Sequence, residues 1–468
     1  MTTRQSLLPA LFLLVFFAPL RAQQRPAETL APAVRSDIDR VAGQVLQQTG
    51  VPSASIAVVQ HGKIVYTHAY GMARLGPDEA ATPQMRYSIG SISKQFTAAA
   101  ILLLEQQGKL SLDDPVGKYI SGLTEGDKVT LREILSHTSG YQDYWPEDYV
   151  MRPMMQPTTP QQILDTWAKK PLDFEPGTKW QYSNTNYVIA GLIVEKLSGE
   201  PLFTFLEQHI FKPLGMTSVW DSDQHPLTST DAEGYHRYAL GPLRPALPEG
   251  PGWMAGAAEL AMTPHDLALW DESLLSQSLL SSESYKKMFT EVKLKDGKDS
   301  GYGLGVFLGE RDGHRTISHT GEVSGFVSDN VLLPDDGVAM VVLTNQMAVS
   351  AASRIARLAL PAIAGQPLSP PEQQALDIYR GLQHGQIDHA LLAPNLDGYF
   401  TAQALADFSS SLGPLGEPLS LRQTSETLRG GMVFRSFTIA YPSRRLRLTT
   451  YTYPDGKLEQ YLIAPAEE

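Results

Sequence analysis

The sequence contains no cysteine, so no disulfide can staple the fold. It is also poor in basic residues: 38 Lys and Arg stand against 50 Asp and Glu, a formal net charge of −12 at pH 7. A nucleic-acid partner or an anionic membrane surface would call for the opposite balance. There is no low-complexity run and no period of the kind that marks repeat architectures. The one long apolar stretch, near the N-terminus, is shorter than the roughly 20 residues of a membrane span. His-Glu-x-x-His and Gly-x-Ser-x-Gly are both missing, which leaves zinc-peptidase and α/β-hydrolase readings without support. No metal and no cofactor are expected.

What is present begins with a secretory pattern in residues 1–22. Arg4 supplies the positive start, Leu7 to Phe17 the apolar run and Ala22 a small residue at the cut. The expectation is a cleaved signal peptide, a periplasmic or secreted chain, and no membrane span after cleavage. At 468 residues, two or three domains are expected. Ile38 to Thr49 reads as a helix, and residues 53–71 alternate as two strands joined at His61-Gly62. From Asp113 to about Ser284 the pattern is helical, with long loops rich in Pro and Gly. Tyr302 to Phe307, Thr316 to His319, Val323 to Leu333 and Val338 to Asn345 read as strands, and Ser350 to Ile363 as a closing helix. Strands from both ends with helices between them predict an α+β fold over residues 23–365: an antiparallel sheet flanked by helices, with an inserted helical domain. Residues 366–371 read as a linker. Residues 372–468 read as a small α+β module, with helices at Glu372 to Gln383 and Ala402 to Leu412 and strands near 418–426, 432–441, 445–453 and 457–463.

Chemistry concentrates in three stretches. In Tyr87 to Gly108 an apolar helix carries one charge near its start, Lys94, three residues after Ser91. That spacing puts both side chains on one face, one turn apart. A serine at a helix N-terminus meets unpaired N–H groups and the positive end of the dipole. A lysine among apolar residues loses hydration, so its pKa falls and it can act as a base. Alone the motif is weak, since Ser-x-x-Lys arises about once by chance in such a chain. A second copy, Ser284 to Lys287, reads as a solvated helix face.

The second stretch places Tyr182 and Asn184 in a polar loop before an apolar helix, Val188 to Leu197. The phenol can relay a proton if cations lower its pKa, and the amide can hold a substrate carbonyl or orient the lysine. The third is Ser318-His319-Thr320-Gly321-Glu322, where small residues at a strand edge let a substrate backbone lie alongside. His319 would serve there as a donor or cation for a substrate carboxylate. Specificity would lie in the loops Tyr141 to Pro160 and Gln224 to Pro251. In or beside them, Trp145, Met154, Met155, Tyr235 and Trp253 either wall a cleft or pack the loops down.

Taken together, Ser91-x-x-Lys94, Tyr182-Ser183-Asn184 and His319-Thr320-Gly321 resemble the motifs of the serine β-lactamase and penicillin-binding protein family. The class C branch, with its D-aminopeptidases, DD-carboxypeptidases and esterases, is the nearest. Flanking text agrees at Leu135 to Tyr141, Phe174 to Gly177 and Gly256 to Leu267, and the likeness covers roughly residues 35–365. It implies a β-lactamase/transpeptidase-like fold and an acyl-serine mechanism. Ser91 would be the nucleophile, with Lys94 and Tyr182 sharing the proton work. The N–H groups of Ser91 and Glu322 would hold the oxyanion, and Asn184, His319, Thr320 and Gly321 would bind substrate. Histidine replaces the lysine of true β-lactamases at position 319. That ranks a D-amino-acid peptidase, carboxypeptidase or esterase, acting on small or short-peptide substrates such as cell-wall fragments, above a β-lactamase. A non-catalytic peptidoglycan-sensing or partner-binding module is the rival reading.

Overall fold

The computed structural model describes residues 30–466 apart from 148, 312, 365–367, 417, 419 and 442–443. The expected signal peptide, residues 1–22, and part of the expected linker lie outside the described residues. No helix among the described residues is long and apolar enough to cross a membrane.

The first helix, α1 (Pro32–Thr49), starts six residues earlier than the periodicity predicts, with proline at its first position. It ends on Gly50, whose positive φ closes the last turn. Strands β1 (Ser53–Gln60) and β2 (Lys63–Arg74) form the expected hairpin, with His61 and Gly62 both at positive φ in a two-residue turn. With β3 (Glu79–Ala80), β4 (Phe307–Arg311), β5 (His314–Val323), β6 (Phe326–Leu333) and β7 (Val338–Thr344) they build a seven-stranded antiparallel sheet. Its order is β3-β2-β1-β7-β6-β5-β4.

Both faces of the sheet are covered, so its central strands are buried almost end to end, including Ser328, Asp329 and Asn330 of β6. In β1, Ile56 and Val58 face α1 and the closing helix α6 (Ala351–Ala364), while Ala57 and Val59 face the larger core on the other side. That larger core holds the helical insertion. Its main pieces are α2 (Ser93–Gln106), α3 (Asn184–Ser198), α4 (Pro264–Ser276) and α5 (Ser282–Met288).

Two expectations for the sheet are corrected. Tyr302 to Val306 is not a strand: Gly305 takes a positive φ and the strand starts at Phe307. His319 to Gly321 does not precede the strand beginning at Val323. It lies inside β5, paired with Asn330, Asp329 and Ser328 of β6 across a tight turn at Ser324-Gly325.

The C-terminal residues close a core of their own. Helix α7 (Pro370–Gln383) takes Pro370 and Pro371 as its first two positions and is capped by Ser369 with Glu372, so these two prolines are helical rather than linker. Helices α8 (Pro394–Tyr399) and α9 (Ala402–Leu412) follow, the first of them unforeseen. A four-stranded antiparallel sheet, β8 (Ser420–Arg429), β9 (Met432–Tyr441), β10 (Arg444–Thr452) and β11 (Leu458–Pro465), packs Phe437, Ile439 and Leu448 against Tyr379 and Leu382.

Candidate active site

Ser91 does not sit in the α-helix itself. It occupies a 3-10 turn, Gly90–Ile92, immediately before α2. Between Tyr87 and Leu102 it is the one residue that is not buried. A side chain at Gly90 would come within 2.7 Å of the Glu322 backbone nitrogen, and one at Gly321 within 1.9 Å of the Ile89 carbonyl oxygen. Both positions therefore need glycine, and their contact sets the serine turn directly against β5.

Lys94 is fully buried, and its hydrogen bonds involve no carboxylate. Its Nζ lies 3.0 Å from Ser91 Oγ, 2.8 Å from Asn184 Oδ1 and 2.9 Å from the Ala257 carbonyl oxygen. Burial pulls its pKa down to about 7, against the opposing pull of Asp143 and Glu259. A neutral amine has two N–H bonds and one lone pair. Asn184 Oδ1 and the Ala257 carbonyl can only accept, so they take both N–H groups. The lone pair is left facing the Ser91 hydroxyl. This is the geometry of a general base on its nucleophile.

Asn184 is committed at both ends. Its Oδ1 accepts from Lys94, and its Nδ2 donates to Asp143 at 3.2 Å, as does its backbone N–H at 2.9 Å. Of the two roles open to this amide, the geometry supports orienting the lysine rather than holding a substrate carbonyl. Asp143 was missed in the sequence. It is largely buried, accepts the Trp145 N–H at 3.1 Å, and places its charge close enough to raise the Lys94 pKa. Nothing in the spacing signals it, because the residue it serves is 41 positions away.

The Tyr182 phenol is buried without a hydrogen-bond partner of good geometry, and the Ser91 hydroxyl is the neighbour that favours its ionised form. Burial wins and raises its pKa, so the expectation of a cation-lowered phenol is corrected: the group stays protonated. Lys94 lies 4.9 Å from the centre of its ring. Aromatic neighbours keep the site dry. His137 packs on Tyr182 at 4.2 Å between ring centres and on Tyr302 at 4.9 Å. Burial also drives His137 well below the ordinary histidine pKa.

His319 is the clearest correction. It is buried, with Nδ1 2.5 Å from the Thr320 carbonyl and Nε2 2.8 Å from the Tyr302 hydroxyl. A carbonyl only accepts, so Nδ1 carries the proton and Nε2 accepts from Tyr302. Burial, aided by the nearby Lys94 charge, lowers its pKa to about 3. At neutral pH it is an uncharged ring with both nitrogens occupied, not a cation for a carboxylate. Thr320 is exposed on the alternate side of β5, as is Glu322. The Glu322 carboxylate accepts the Ala348 N–H at 2.7 Å, which leaves its backbone as the part that faces the serine turn.

The loops behave unevenly. Met154 and Tyr235 are buried packing residues, the latter donating its hydroxyl proton to Glu233. The Trp145 indole donates to the Tyr149 carbonyl and the Trp253 indole to that of Gln156, so these rings pin the loops together.

The beta-lactamase family model matches residues 38–363. Penicillin-binding protein 4* of Bacillus subtilis (strain 168) is 28% identical over 344 residues, 69% of this chain and 75% of that protein. The chain spans 62% to 75% of the length of the relatives it matches. Among solved structures, a D-stereospecific amidohydrolase from Streptomyces sp. is 27% identical with a TM-score of 0.60, covering 68% of this chain and 96% of that one. The octameric penicillin-binding protein homologue from Pyrococcus abyssi, 22% identical, has a TM-score of 0.64 over 92% of this chain and 99% of that one. That last likeness is one of fold alone. It exceeds what residues 38–363 can supply and so reaches into the C-terminal module.

Proposed function

The chain belongs to the beta-lactamase family, and we propose that it is an exported serine hydrolase that cleaves an amide or ester bond through an acyl-serine intermediate. The observation that carries this reading is Lys94 Nζ standing 3.0 Å from Ser91 Oγ, fully buried and with its pKa near 7. Lys94 takes the Ser91 proton as Oγ attacks the substrate carbonyl. The N–H groups of Ser91 and Glu322 receive the oxyanion. The Tyr182 phenol, kept protonated by burial, donates to the leaving amine or alkoxide and is reprotonated by the lysine ammonium. Water then attacks the acyl-serine by the reverse proton path, releasing the acid and restoring Ser91.

Substrate class follows from charge. With His319 neutral, a free carboxylate finds no cation at that position, which disfavours β-lactams and C-terminal carboxypeptidase substrates. Asp143 beside the site favours neutral or amine-bearing acyl donors. A D-amino-acid amidase, aminopeptidase or esterase is the form best supported, and the similarity to a D-stereospecific amidohydrolase points the same way.

The test is mass-spectrometric labelling of wild type and Ser91→Ala with a fluorophosphonate and with a penicillin, alongside hydrolysis of D-phenylalaninamide. The expected result is a fluorophosphonate adduct on Ser91, absent in the variant, with amide turnover and little lasting penicillin adduct. A folded protein that takes neither label would overturn the hydrolase reading in favour of a binding module. Export is checked by sequencing the N-terminus of protein recovered from the periplasm, where a start after Ala22 is expected.

A further inference from the structure

As proton donor, Tyr182 must present its hydroxyl to the leaving group, yet the phenol has no hydrogen bond of good geometry to hold it there. Its place is set by the backbone on either side and by the ring packed on its face. One residue, His137, reaches all three. The His137 carbonyl accepts the Gln181 N–H at 2.9 Å, and His137 Nδ1 accepts the Ser183 N–H at 3.2 Å. The imidazole lies on the Tyr182 ring at 4.2 Å between centres, with 34° between the planes.

The partners of the imidazole fix its tautomer. The Ser183 N–H can only donate. Asn186 Nδ2, 3.3 Å from Nδ1, donates as well, since Asn186 Oδ1 is taken by the Ser139 hydroxyl at 2.6 Å. Nδ1 therefore presents its lone pair. Burial, with the Lys94 charge nearby, holds the ring neutral, which puts its proton on Nε2. Among the described residues that buried N–H has no partner, and the His137 backbone sits in the left-handed region at φ 59°. Both features are unfavourable, and strain of this kind persists where the surrounding structure over-determines a residue. A phenyl ring would avoid the orphaned N–H and a glycine the strained backbone, but neither could both accept the Ser183 N–H and pack on Tyr182.

We infer that His137 is a positioning residue for Tyr182: its carbonyl and ring nitrogen bracket the tyrosine, and its ring backs the phenol, so that the hydroxyl meets the leaving group. The inference rests on Tyr182 as the proton donor of the proposed mechanism.

The test compares kcat/KM, which reports acylation, on two substrates. The nitrogen of D-phenylalaninamide must gain a proton to leave, whereas the phenolate of p-nitrophenyl acetate leaves without one. Tyr182→Phe sets the scale, with a loss of about a hundredfold or more on the amide and little on the ester. His137→Phe keeps a ring without an acceptor and should lose about tenfold to a hundredfold on the amide, again with little change on the ester. His137→Asn offers Oδ1 in place of Nδ1 and tolerates the left-handed backbone, so it should recover most of the amide rate. In the Tyr182→Phe background, His137→Phe should add no further loss. Fluorophosphonate labelling of Ser91 in each variant reports an intact nucleophile.

Equal losses on the two substrates, losses that add in the double variant, His137→Asn no better than His137→Phe, or an unlabelled Ser91 in both His137 variants would make His137 a packing residue and overturn the inference. A Tyr182→Phe that slows amide and ester alike would overturn the proton-donor reading, and a wild type that cleaves neither substrate the hydrolase reading; the inference falls with either.

Discussion

Ser91 and Ser284 each stand three residues before a lysine, Ser91 in the turn that feeds α2 and Ser284 in the first turn of α5. At the first, Lys94 is fully buried, hydrogen-bonds no carboxylate and faces the serine oxygen. At the second, Lys287 reaches away to the Glu105 carboxylate at 3.0 Å, and Ser284 is buried against Gln106 and Ser281. The expectation of a solvated face therefore holds for neither residue in full: Ser284 and Tyr285 are buried, and Lys287 is partly exposed and paired. A carboxylate partner stabilises an ammonium, whereas burial without such a contact disfavours it. The same four-residue text thus yields a structural contact in one place and a base on a nucleophile in the other.

The comparison can be broken most sharply at the serines. Ser91→Ala should cut the rate of fluorophosphonate labelling and of amide turnover by about a thousandfold or more, while Ser284→Ala leaves both unchanged. The lysines come next. Lys94→Met should slow labelling of Ser91 by about a hundredfold to ten-thousandfold, the usual worth of a general base. Its melting temperature should hold or rise, because the desolvation of an ammonium is no longer at stake.

A subtler probe is the pH profile of kcat/KM. Lys94 acts as its neutral form, so activity should climb as pH rises through about 7 and level off above. Asp143 raises the Lys94 pKa, so Asp143→Asn should move that rise to lower pH, with the amplitude reduced as Asn184 loses its anchor. A rise that stays put would mean that Asp143 does not act on the lysine. The smallest effect is expected at the second copy. Lys287→Met removes a partly exposed ion pair and should cost about 1 kcal/mol or less in urea denaturation, with labelling of Ser91 intact.

Much of the fold was legible because it rests on short-range pattern. The β1–β2 hairpin follows from alternation around His61-Gly62, and the strands of the C-terminal module from alternation between turns. Helix α9 matches its expected limits, since its apolar spacing and its Thr401 cap are both local. Where pattern and sterics competed, the pattern misled. Tyr302 to Val306 alternates like a strand, yet Gly305 at positive φ against the Lys94 carbonyl breaks it.

The candidate site divides along the same line. Residue types and their spacing marked Ser91, Lys94, Tyr182, Asn184 and His319, since covalent order alone puts a serine and a lysine one helical turn apart. Their protonation states were another matter. The Lys94 pKa falls to about 7 because it is buried, with Asn184 and Ala257, 90 and 163 residues away, offering it oxygens in place of a carboxylate contact. His319 is neutral because Tyr302 and a buried aromatic shell surround it, and Asp143 enters through a residue far from it in sequence. Desolvation is the summed effect of every group packed around an atom, and most of those groups are distant along the chain. Order along the sequence could therefore say which side chains meet, and packing alone could say which of them carry a proton.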